Sequence, residues 1–95
     1  MTGPDPLAEL TNCRAEIEQI DRQLIELLAA RMALGRRTAT IKRAAGLPIL
    51  DPQREAEVIR RAVTTARGHD LPVEGVREVF WQIVGLSRRA QEELR

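Results

Sequence analysis

Two long cations open the question of chemistry. Arg31 and Lys42 lie eleven residues apart on a stretch that reads as helix. At 100° per residue that separation returns them to within about 20° of one face and about 16 Å apart along the axis, so both arms can close on one small anion. Arg31 also falls on the apolar seam of its helix, where an unpaired charge costs several kcal/mol. Something must neutralise it: an internal ion pair, a snorkelling path to the seam's edge, or a bound anion. Arg14 precedes Arg31 by about 25 Å of axial rise and about 100° of rotation, so it cannot serve the same small ligand from the same chain. It is either a solvated arginine beside the seam or a group that reaches the site of a partner subunit. Asp51-Pro52-Gln53-Arg54-Glu55 opens a second helix with Asp51 as its cap, and the free N–H groups there suit a hydroxyl or a carboxylate. Arg54 and Glu55 read equally as solvent-facing charges. Ser87 and Gln91 stand one turn apart on a third helix, at inward positions where apolar residues are expected. A polar contact between helices accounts for them as well as a ligand does.

Other chemistries lack their parts. There is no Ser-His-Asp set, no metal-ligand cluster and no glycine-rich phosphate loop. The single histidine, His69, sits in a predicted turn, where a surface role is the ordinary one. Lys and Arg total 15 against 14 for Asp and Glu, a net charge of +1, which argues against a polyanion binder held by bulk charge. The basic pairs Arg36-Arg37, Arg60-Arg61 and Arg88-Arg89 are interspersed with acids and have no aromatic stacking platform, so no nucleic-acid partner is expected.

The elements that position these residues are helical throughout. Between Pro6 and Gly46 there is no proline and no glycine except Gly35, and Ala, Leu, Glu, Gln and Arg dominate. Leu10, Cys13, Ile17, Ile20, Leu24, Leu27, Arg31, Leu34, Thr38 and Ile41 recur in steps of three and four, predicting one helix over about 6–45. Such a helix spans on the order of 60 Å, too long to be wrapped by the short remainder of its own chain. Residues 46–51 break it. A second helix over about 52–67 follows, with Gly68-His69-Asp70 as its C-cap and turn, and Pro72 opens a third that runs to about 94 through Val76, Phe80, Ile83, Ser87, Ala90 and Leu94. The expected fold is all-α, a single domain over residues 1–95. With Phe80 and Trp81 as its only aromatic residues the core is thin, which predicts an intertwined helical homodimer.

The lone Cys13 fits a reducing cytoplasm, and the opening MTGPDPLAEL has neither the basic nor the apolar region of a secretory leader. No apolar run approaches the roughly 20 residues that cross a bilayer, so a soluble protein away from membranes is expected.

Five motifs in order resemble the small all-helical (AroQ) class of chorismate mutases over nearly the whole chain. Arg14 lies in Asn12-Cys13-Arg14-Ala15-Glu16-Ile17, similar to the family's L-R-x-x-I opening, with Ile20-Asp21 following. Arg31 closes Leu27-Leu28-Ala29-Ala30-Arg31, like L-L-x-x-R, and Lys42 ends Ala39-Thr40-Ile41-Lys42 before the loop. Pro48 to Glu55 resembles P-[IV]-x-D-x-x-R-E, the most specific of the signatures, and Ser87 with Gln91 matches S-x-x-x-Q. Cys13, Thr38, Arg36-Arg37 and Arg88-Arg89 depart from the pattern, the arginines by adding charge around the site.

The resemblance implies a shikimate-pathway isomerase that rearranges chorismate to prephenate with no cofactor and no metal. It implies Arg14 across the dimer and Arg31 as carboxylate clamps assisted by Arg54 and Ser87, with Lys42 and Gln91 as donors to the ether oxygen. Glu55 would accept from the ring hydroxyl, which backbone N–H groups near Asp51 also face. Relatives of the fold act on 4-amino-4-deoxychorismate or cleave pyruvate from isochorismate. The lyase pattern usually lacks the Asp51 to Glu55 signature, whereas the amino substrate stays open because a carboxylate accepts from an amine as from a hydroxyl. A non-catalytic helical scaffold or regulator would prefer apolar residues at positions 31, 87 and 91.

Overall fold

The computed structural model describes Gly3 and residues 5–93. They form three helices, α1 (Pro6–Ala44), α2 (Pro52–Gly68) and α3 (Val73–Glu92), and among the described residues there is no strand. The all-α expectation holds. The last turn expected for α3, with Leu94, lies outside the described residues.

By internal packing the chain divides into two units, Met1–Ala30 and Arg31–Arg95. In the first, the apolar seam of α1 meets solvent: Leu10, Ile17, Ile20, Leu24 and Leu27 are all exposed, Leu27 at 67%. A lone helix offers its apolar stripe nothing to bury against. The second unit holds the remainder of α1 together with α2 and α3. Its core is built from small side chains, with Ile59, Ala62, Val63 and Ala66 of α2, Val84 and Ala90 of α3, and Ala39 of α1 all buried. The α2 residues fall at helical spacing on one face, and alanines there let helix backbones approach closely. Ser87 is the one buried polar residue among those described, 8% exposed.

The helix ends follow from local chemistry. Asp51 caps α2 by accepting a hydrogen bond from the Arg54 N–H at 3.1 Å, and Pro52 occupies the first turn, where a missing N–H costs nothing. α1 ends with Gly46 at φ 72°, its N–H donating to the Arg43 carbonyl at 3.2 Å while the Leu47 N–H donates to that of Lys42 at 2.8 Å. α2 ends with the same pair of bonds, Asp70 to Arg67 at 3.3 Å and Leu71 to Ala66 at 3.0 Å. Here the left-handed residue is Asp70, at φ 57°, and not Gly68, which stays helical. The turn stands at the expected Gly68-His69-Asp70, with its third residue in the left-handed position. Aspartate tolerates the left-handed region better than most residues but worse than glycine.

Substitutions at these two positions should move stability in opposite directions. Asp70→Gly should stabilise by about 0.5–1 kcal/mol by relieving left-handed strain. Gly46→Ala should destabilise by about 1 kcal/mol through backbone strain alone, because nothing lies within 4 Å of the added methyl. Urea melts at fixed protein concentration read both effects, and equal or same-signed shifts would refute the assignment.

Candidate active site

One face of α1 carries Arg31, Leu34, Gly35, Thr38 and Lys42 in helical steps, and these residues line a cavity of about 300 Å³ within the second unit. The first turns of α2 add Arg54, Glu55 and Val58, and α3 adds Val84, Ser87, Arg88 and Gln91. A second cavity in this unit, about 320 Å³, is walled mainly by Val58, Ala62, Ala66, Leu71 and Phe80. Of these two, the first holds four cations, a carboxylate and an amide, and the second is mostly apolar.

Most of the charged groups have a definite attachment. Arg31 donates through Nη1 to the Ser87 hydroxyl at 2.5 Å, joining α1 to α3. Lys42 donates through Nζ to the Ile49 carbonyl at 3.1 Å, so the loop after α1 folds back over its own last turn. Neither cation forms an ion pair among the described residues; both have neutral partners. Arg54 pairs with Glu57 at 3.3 Å near the mouth of α2, with its side chain half exposed. Glu55 is gripped by Arg88 through both carboxylate oxygens, Nε to Oε2 at 3.1 Å and Nη2 to Oε1. That hydrogen bond and the charge of Glu55 push the Arg88 pKa up from its already high value. Among the described residues nothing takes a hydrogen bond from the Gln91 amide.

Of the residues anticipated from sequence, Arg31, Lys42, Arg54, Glu55, Ser87 and Gln91 all line this cavity. Asp51 does not; it caps α2 and lines a neighbouring hollow that also includes Lys42. Arg14 is exposed on α1 in the first unit and is not among the lining residues. Two participants carry no assigned role in the sequence: Arg88, which reads only as added charge around the site, and Gly35. Arg88 follows Ser87 directly, and a residue one step along a helix points about 100° away, so spacing gave it no inward role. Gly35 left a signal that went unread, a lone glycine inside a 39-residue helix. A β-carbon there would sit 3.7 Å from the Gln91 amide nitrogen and 3.9 Å from the Ser87 β-carbon. The missing side chain is cavity space.

The arrangement suits a small anion with two acidic groups. Two cations with neutral partners, an amide and a hydroxyl converge on it, and no nucleophile with an adjacent base lines the wall. Among the described residues no group of three or more His, Cys, Asp or Glu could hold a metal ion, and no helix is long and apolar enough to cross a membrane.

The chain is similar to known proteins over most of its length. Residues 13–92 match the family model described as chorismate mutase type II. The chain is 26% identical over 87 residues to the chorismate mutase of Methanocaldococcus jannaschii, covering 92% of this chain and 88% of that protein. It is 30% identical over 87 residues to the T-protein of Enterobacter agglomerans, covering 92% of this chain but 23% of that protein. It is 28% identical over 92 residues to the bifunctional chorismate mutase/prephenate dehydratase of Aquifex aeolicus, covering 94% of this chain and 25% of that one. The chain thus spans about a quarter of the length of the latter two relatives. A solved structure of a conserved hypothetical protein from Pyrococcus furiosus superposes with a TM-score of 0.69 at 34% identity, covering 93% of this chain and 99% of that one.

Gly35→Ala separates stability from the site. Alanine should stabilise the helix by about 1 kcal/mol, and the methyl, at ordinary contact distance from Gln91 and Ser87, should narrow the cavity. A higher melting temperature with weaker binding of a dicarboxylate is the expected pair of results. Unchanged binding would mean that the cavity wall near Gly35 does not meet the ligand.

Proposed function

We propose that this chain, which belongs to the chorismate mutase type II family, rearranges chorismate to prephenate. One observation supports this above the others: Arg31 and Lys42 face a common cavity with only neutral partners. A partly buried cation without a counter-charge invites an anion, and the substrate of this family carries two carboxylates. The reaction is a Claisen rearrangement in which an ether C–O bond breaks as a C–C bond forms. No nucleophile, proton transfer or cofactor is needed.

The work is to hold a flexible dianion as a chair with its reacting carbons close, which removes the entropic part of the barrier. Arg31 grips one carboxylate, and Ser87 fixes the guanidinium's orientation while adding a hydroxyl of its own. Arg54 can leave its exposed pairing with Glu57 at little cost, because such surface pairs contribute about 0–1 kcal/mol. As the ether bond breaks, negative charge grows on its oxygen, and Lys42 and Gln91 donate there, stabilising the transition state more than the ground state. Glu55 accepts from the ring hydroxyl, and backbone N–H groups beside Asp51 donate to its oxygen.

The protein acts as a homodimer in this proposal. A second copy would cover the apolar seam of α1, and a two-fold pairing would bring Arg14 of one subunit to the second carboxylate in the other's site. The expected setting is the cytoplasm, with no membrane or nucleic-acid partner.

Two experiments test this reading. Gln91→Ala should lower kcat by about 10²–10³, the scale of losing one oxyanion donor. Gln91→Glu should be active only where its carboxyl is protonated and should fade as pH rises, whereas the native amide donates at any pH. A native enzyme that loses activity on the same alkaline limb as Gln91→Glu would contradict the role. Separately, Arg14→Ala chains mixed with Arg31→Ala chains should regain activity, because one of the two sites in each mixed dimer keeps both arginines. Confirmed chain exchange without recovery would exclude shared sites.

A further inference from the structure

We infer that Arg88 is a positioning residue that selects the substituent on the substrate ring: by holding both oxygens of Glu55 it makes the cavity accept a neutral hydroxyl and reject an ammonium. The inference rests on the proposed rearrangement, with Glu55 as the group facing that substituent.

The geometry leaves Glu55 able to accept but no longer strongly anionic toward a ligand. Arg88 takes one lone pair on each carboxylate oxygen, Nε on Oε2 at 3.1 Å and Nη2 on Oε1. Each oxygen keeps a second lone pair, enough to receive an O–H. An ammonium placed there would meet the same lone pair, but it would also feel the Arg88 guanidinium bonded to that carboxylate. The Glu55 side chain is only 19% exposed and that of Arg88 42%, so solvent screens this repulsion incompletely.

The charge of the whole cavity acts in the same direction. Its lining carries four cations, Arg31, Lys42, Arg54 and Arg88, and one carboxylate, Glu55, a sum of 4 − 1 = +3. A hydroxyl-bearing substrate with two carboxylates brings −2, whereas its amino counterpart brings −1. The more anionic ligand is favoured. Without Arg88 the lining falls to 3 − 1 = +2 and Glu55 becomes an unpaired carboxylate, the natural seat for an ammonium.

The test measures kcat, KM and calorimetric binding for chorismate and 4-amino-4-deoxychorismate with the native chain, Arg88→Met, Arg88→Lys and Arg88→Met/Glu55→Gln. Native protein should prefer chorismate. Arg88→Met should move the amino-to-hydroxy ratio of kcat/KM upward by on the order of tenfold, the scale of one charge–charge interaction across a partly wet cavity. Arg88→Lys, which keeps the charge, should stay within about threefold of native on the same scale. The double variant should lose the shift, because Arg88 acts through Glu55. If Arg88→Met slows both substrates alike and leaves the ratio unmoved, Arg88 only supports the helices and the inference fails. It also fails if the double variant shifts as the single one does. Rearrangement of neither compound by native protein would instead defeat the proposed function, and the ratio of binding affinities would still decide the selection by Arg88.

Discussion

Positive charge without a matching carboxylate is the constraint from which the rest of the site follows. Arg31 and Lys42 are drawn partly out of water, yet one is held by a hydroxyl and the other by a backbone carbonyl. Dipoles can orient a cation but cannot cancel it, so the field of both groups stays directed into the cavity. The one carboxylate in the lining is occupied by a third cation, Arg88. In the proposed reading a ligand bearing two negative charges supplies what the chain itself withholds.

Holding those charges in place falls to helix ends as much as helix faces. Lys42 acts twice: its carbonyl accepts the Leu47 N–H that closes α1, and its ammonium reaches the Ile49 carbonyl in the loop that follows. The left-handed Gly46 makes that return possible, because a β-carbon at φ 72° would be strained. A few residues later Asp51 caps α2 and sets the direction in which Arg54 and Glu55 leave the first turn. Turn chemistry and site chemistry are carried by one short segment, residues 42–55.

How much of this could be read in advance depends on the kind of signal. The long apolar repeat, the Asp51-Pro52 start and the Gly46 stop are local rules, and they placed three helices close to where they stand. Arg31, Ser87 and Gln91 stand out because polar groups at apolar positions break a pattern, and Lys42 because eleven residues return it to the face of Arg31. Arg88 broke none: at one step from Ser87 it reads as surface, and only the approach of α2 to α3 turns it toward Glu55. Asp70 in place of Gly68 at the α2 terminus has a similar cause. Composition names the residue that enters the left-handed region most easily, whereas the length of the helix decides which residue must.

The seam of α1 shows how stability and chemistry share one pattern. From Leu10 to Leu27 its residues are apolar and exposed in the chain; from Arg31 onward the same periodicity delivers a guanidinium, a glycine gap and an ammonium to the cavity. A helix repeat that continued apolar would bury more surface and add stability at about 25 cal/mol per Å². At Arg31 and Gly35 that gain is forgone, one position holding a charge and the other holding nothing, and the small core of alanines and valines must compensate. A small helical chain can carry such losses only if its remaining apolar surface finds a partner. In the proposed homodimer a second copy would cover the seam that one chain leaves exposed, and the site and the interface would then draw on the same helix repeat.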